Sequence, residues 1–205
     1  DVARFWSPLT YAFLHANCSH VLVTALWLVA FGRPLAWRFG TVRFLGFSAV
    51  GAIAGAALHF AFYATDTQPL VGASAAISAH MAGVSRFAFS GNAFFGGRAG
   101  GMAVHAPAPP LAAILTNPRV LAFIGVWFGV NLLFGLGGVG SGIASGAIAW
   151  DAHLGGFAAG LFLFSLFDRV PQARGGSRRQ GVGKQLSRNL RAVAVEPRTS
   201  TIHER

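Results

Sequence analysis

Two long stretches without charge constrain this chain more than any other feature. Counting Lys, Arg, Asp and Glu, residues 44–85 contain only Asp66 and residues 120–150 contain none. Stretches of that length read as helices crossing a bilayer, each of which needs about 20 apolar residues. Of the 205 residues, 54% are hydrophobic and 11% charged, where a soluble domain carries about a quarter charged residues. An ordinary soluble enzyme is excluded. Alternation of period two is absent, so a membrane β-barrel is not supported. The fold class expected is an all-α, polytopic membrane protein.

Five apolar segments can be marked, at roughly Ser19–Leu35, Phe44–Thr65, Leu70–Phe87, Val120–Val139 and Asp151–Phe167. Arg33, Arg38 and Arg43 fall from the end of the first to the start of the second, and Arg86, Arg98 and Arg119 from the end of the third to the start of the fourth, while 66–69 and 140–150 hold no Lys or Arg. Basic residues gather on the cytoplasmic side, so the first, third and fifth segments are expected to run from outside to inside. Residues 88–118, rich in Gly, Ala and Pro, read as a flexible cytoplasmic loop. The division expected is a transmembrane domain over 1–168 and a basic, disordered cytoplasmic tail over 169–205. Residues 168–205 hold nine of the sixteen Lys and Arg against three acids. Such a tail suits anionic lipid, and no folded surface for reading nucleic acid is apparent. The lone Cys18 excludes an internal disulfide and any CxxC pair. The chain opens on Asp1 with no visible signal peptide, which suggests a fragment lacking a sixth, N-terminal helix.

A polar side chain inside a membrane segment is costly, so each is a functional candidate. Gly72-Ala73-Ser74-Ala75 opens the third segment, Asp151-Ala152-His153 the fifth, and His15, His20 and Thr24 straddle the start of the first. All three clusters lie at the same end of their segments, so Ser74 and His153 can share a depth although 79 positions separate them. A serine hydroxyl needs a base to take its proton, and neutral histidine is the usual one near pH 7. Unpaired N–H groups at a helix start suit a developing oxyanion, and His20 can add a side-chain donor. Blander readings stand beside these. Ser74 could bond back to a carbonyl one turn earlier, and Asp151 could be an N-cap with His153 in its first turn. His59 and His80 read as packing residues. His15 and His20 lack nearby Cys or carboxylate partners, so no metal site is expected. The pairs Gly51/Gly55 and Gly156/Gly160 are spaced for close helix packing in lipid.

In this order the clusters resemble the rhomboid family of intramembrane serine proteases. Phe13-Leu14-His15 followed by His20 is similar to the family's FLH-x4-H motif. Gly72-Ala73-Ser74 is similar to its GxS motif, and His153 through Gly156 to its HxxG motif, with Gly160 beyond. Phe31-Gly32 and Phe39-Gly40 fit the cytoplasmic turn after its second helix. The resemblance spans about residues 5–168 and makes the five segments helices two to six of a six-helix bundle around a water-filled cavity. It implies a Ser74–His153 dyad without a third carboxylate. The oxyanion hole would be His20 and the Ser74 backbone N–H, with Thr24 where the family often has Asn. It further implies cleavage of single-pass transmembrane proteins in the lipid bilayer, with no cofactor.

Three departures bear on activity. Ala75 replaces a Gly, Thr24 offers one hydroxyl in place of an amide, and Ser78 stands where an aromatic commonly packs on the catalytic histidine. Losing one oxyanion donor can cost ~10²–10³ in rate. The departures motivate an alternative, an inactive rhomboid-like protein that binds transmembrane helices without cutting them. A third reading is a small transporter or channel relaying protons through its histidines. The Ala, Gly and Arg bias suggests a bacterial cell (inner) membrane.

Overall fold

The computed structural model describes residues 2–65, 69–89, 104–136 and 149–170, and every regular element among them is helical. A short α1 (Ala3–Thr10) and a 3-10 turn (Tyr11–Phe13) lead into α2, which runs unbroken from Cys18 to Phe39. Asn17 starts α2 by accepting the His20 N–H at 2.8 Å, the arrangement an N-cap side chain provides. Leu28–Gly32 form a π turn inside α2, separated from Pro34 by Arg33 alone. Proline lacks an N–H and its ring crowds the carbonyl four residues earlier, and a turn with wider spacing is one way a helix accommodates it.

Gly40, at φ +77, turns the chain from α2 into α3 (Thr41–Phe62). Phe39-Gly40 therefore occupies a turn, but Phe31-Gly32 does not: it lies within the π turn of α2. The arginines expected about these connections are likewise helical where described: Arg33 and Arg38 in α2, Arg43 in α3, Arg86 in α4 (Ser74–Ala88) and Arg119 in the helix that starts at Pro118. The next elements are α5 (Leu111–Leu115), α6 (Pro118–Leu136) and α7 (Trp150–Phe167). Helices α2, α3 and α7 are long and apolar enough to cross a membrane. Their outward faces carry apolar side chains such as Leu22, Leu26, Ile53, Phe60, Phe162 and Leu166, a surface suited to lipid and not to water.

Helix α4 is the centre of the bundle. Every residue from Ala75 to Phe87 is buried, and α3, α4 and α7 make the most extensive contacts with one another. Small residues make this possible. Gly51 of α3 faces Ala79 and Ala76, Gly55 faces Ala75, Gly156 of α7 lies on the Ala75 backbone and Gly160 on the Ala79 backbone. Lipid tails are as apolar as the helices, so association relies on such close backbone contact.

The opposite end is held by arginines. Arg38, 5% exposed, makes a two-pronged ion pair with Asp168 (2.9 and 2.8 Å) and donates to the carbonyls of Val104 and Ala106 at 2.8 and 2.9 Å. Its guanidinium stacks 4.7 Å over the Phe87 ring. Arg86 donates to Leu161 O at 2.8 Å. These bonds correct the reading of 88–118 as a flexible loop where it is described: 104–118 includes α5, and Val104 and Ala108 are buried. Residues 90–103 of that loop, and the tail beyond residue 170, lie outside the described residues.

Candidate active site

Backbone first places the serine. Gly72 sits at φ +107, a region L side chains rarely occupy, and this bend turns the chain into α4 at Ser74. No side chain caps the helix start, and the first intrahelical bond is Ile77 N–H to Ala73 O at 3.0 Å. The N–H groups of Ser74, Ala75 and Ala76 thus precede the helical ladder and remain available as donors. The Ser74 hydroxyl does not bond back along its own helix. It meets His153 Nε2 at 2.7 Å, and both residues are only partly buried.

His153 lies in the first turn of α7. Its other ring nitrogen, Nδ1, is 2.5 Å from Asn131 Oδ1 on α6, and Asn131 Nδ2 donates to Trp127 O at 2.7 Å. The Trp127 ring stacks on Phe157 of α7 at 4.3 Å between centroids, which joins the two helices one turn away from the Asn131–His153 contact. Asn131 escaped the sequence reading. The signal was there, since it is the single amide in an otherwise apolar segment and intramembrane polar side chains are functional candidates.

The His20 ring packs against Gly72, and a Cβ built there would lie 2.9 Å from Nε2. Its Nδ1 accepts the Ala16 N–H at 3.4 Å. An accepting Nδ1 is bare, so Nε2 carries the hydrogen and acts as donor on the side next to the Ser74 turn. Thr24 is buried one turn further along α2. His15 meets His20 edge to face at 5.1 Å, and among the described residues no third His, Cys, Asp or Glu joins them as a metal site. Ser78, buried at the position the resemblance gives to an aromatic, donates to Ser74 O at 2.9 Å.

Two expectations are corrected. Asp151 is not an N-cap: Ala149 occupies that position, and the buried Asp151 carboxylate instead meets His59 Nδ1 at 2.7 Å. His59 therefore has a specific polar partner 92 positions away. His80 does pack, between the rings of Phe44 and Phe47, but its Nε2 also lies 2.8 Å from Ser48 Oγ. Neither pairing is visible in sequence, because each joins two helices through residues far apart in the chain.

This bundle of apolar helices, three of them long enough to cross a bilayer, defines an integral membrane protein. The family model for the rhomboid domain matches residues 2–169, and the chain belongs to the rhomboid family of intramembrane proteases and their inactive relatives. No curated protein and no solved structure gives a significant match to it.

Proposed function

We propose that this chain is an intramembrane serine endopeptidase that cuts transmembrane segments of single-pass membrane proteins with Ser74 and His153. The observation that carries this reading is the 2.7 Å bond between Ser74 Oγ and His153 Nε2. In the reaction, His153 Nε2 takes the hydroxyl proton as Ser74 Oγ bonds to the scissile carbonyl carbon. The resulting oxyanion is stabilised by the Ser74 N–H and His20 Nε2–H, with the Thr24 hydroxyl as a weaker donor nearby. His153 then gives the proton to the leaving amine, and the acyl-enzyme is hydrolysed by a water that His153 activates in turn. These steps call for no metal or cofactor.

Helix length supports a buried site. The 15 residues of α4 rise about 22 Å, short of the ~30 Å hydrocarbon core, so one end of this helix stops below the membrane surface. The substrate is a membrane-embedded segment, and the bacterial cell membrane is the location proposed.

A second reading, an inactive relative that binds transmembrane helices, is favoured by Thr24, Ala75 and Ser78. Fluorophosphonate labelling of detergent-purified protein separates the two. Labelling lost in both Ser74→Ala and His153→Ala is expected for the protease. A folded protein that does not label at all supports the inactive relative.

A further inference from the structure

Among the described residues two Ser–His pairs join α4 to a neighbouring helix, and a third group sets the polarity of each. At Ser48, the hydroxyl donates to Phe44 O at 2.8 Å. Its oxygen can then only accept from His80 Nε2–H at 2.8 Å, so this histidine has no lone pair facing the serine. The 1% exposed His80 cannot serve as base for Ser48 in that tautomer.

At Ser74 the polarity is reversed. Trp127 O can only accept, so the Asn131 amide turns its nitrogen toward that carbonyl and its Oδ1 toward the His153 ring. A carbonyl oxygen also only accepts, so His153 Nδ1 must hold the hydrogen. That leaves Nε2 bare and facing the Ser74 hydroxyl at 2.7 Å, the one tautomer in which the ring can take the proton.

We infer that Asn131 is a positioning residue that fixes the tautomer and orientation of His153, making the site a Ser74–His153–Asn131 relay and not an isolated pair. It stands in for the orientation that an aromatic at position 78 would supply, since Ser78 is committed to the Ser74 carbonyl. Stacking of Trp127 on Phe157 holds α6 at the distance this bond needs. The effect on rate rests on the protease reading, whereas the tautomer does not.

The test uses full-length protein with nitrogen-15 histidine in detergent micelles. Long-range proton–nitrogen correlations report each ring's tautomer, and His153 is identified by the signals lost in His153→Ala. The parent should show His153 with hydrogen on Nδ1 alone. Asn131→Leu should show a mixture of both tautomers and label with fluorophosphonate roughly tenfold more slowly, the size of one neutral hydrogen bond. Asn131→Asp keeps an acceptor on His153 Nδ1, although it gives up the donor to Trp127 O, and should restore the Nδ1–H signal and most of the rate. It also serves as the folded comparison if Asn131→Leu is unstable. Hydrogen on Nε2 in the parent, or an unchanged Nδ1–H pattern in Asn131→Leu, overturns the inference. A parent with the Nδ1–H tautomer that never labels at Ser74 supports the positioning role and defeats the protease reading instead.

Discussion

One added methyl group, in Gly156→Ala, should disable the site while leaving each of its polar residues in place. A Cβ at this position would press on the Ala75 carbonyl oxygen and lie 2.7 Å from the carbonyl carbon and 3.1 Å from Ala75 Cα. Non-bonded carbons settle at about 3.5–4.0 Å, so α7 must retreat from α4 by at least ~0.8 Å at this level. The obstacle is backbone, and no rotamer change relieves it. His153 lies one turn earlier on the same helix and moves with it, which opens the 2.7 Å bond to Ser74 to about 3.5 Å or more, beyond the reach of a general base. Misplacement of this order costs about 10² in rate, and overpacking costs about 1–3 kcal/mol of stability. The assay is the rate of fluorophosphonate labelling, with thermal unfolding in the same detergent. Gly160→Ala, whose Cβ lies 2.6 Å from Ala79 Cα, should lose similar stability but keep more of the rate, being two turns from His153. Gly125→Ala meets nothing within 4 Å and should change neither. A Gly156→Ala protein that labels at the parent rate would refute the reasoning, because α7 could then seat a methyl group without moving its histidine.

Further outcomes follow from the same contacts. Arg38→Met leaves the buried Asp168 carboxylate without its ion-pair partner and should cost about 3–5 kcal/mol, read as a lower unfolding temperature. Gly72→Ala forces a side chain to φ +107 and puts its Cβ 2.7 Å from His20 Cε1; it should lose about 1–3 kcal/mol and slow labelling. Gly40→Ala, at φ +77 with no atom within 4 Å, should lose comparable stability and keep the labelling rate. His59→Leu strands the Asp151 carboxylate and should cost about 1–3 kcal/mol. Most of that should return in the His59→Leu/Asp151→Leu double variant, since an apolar pair leaves nothing unsatisfied, and unfolding temperatures decide it.

How much of this was legible in the sequence depended on range. Charge-free stretches are a property of consecutive residues, so α2, α3, α6 and α7 could be located within a few residues. The shared end of Ser74, His20 and His153 followed from alternating direction of the spans. Pair-specific contacts were not legible. Nothing near His59 announces Asp151, nothing near Ser48 announces His80, and Asp151 reads as a cap because its preference for helix starts is local while its bond to His59 is tertiary. Asn131 was overlooked because it lay in no polar cluster, although isolation in an apolar span is what makes such a side chain costly. The arginines were misplaced for a related reason. Charge marks the end of a span in the local sequence, whereas Arg38 and Arg86 lie within their helices and find carbonyl, carboxylate and ring partners there.

The π turn at Leu28–Gly32 bears on how this chain can change length. A turn bonded i to i+5 holds one residue more than an α turn, so the helices on either side keep the phase they would have with one residue fewer. Removing a single residue there would convert the turn to α without rotating Arg38 away from Asp168 or His20 away from Gly72. A one-residue deletion elsewhere in α2 would turn one half against the other by about 100°. The π turn is thus the place in α2 where evolution could accept a single-residue insertion or deletion without dismantling what lies above and below it.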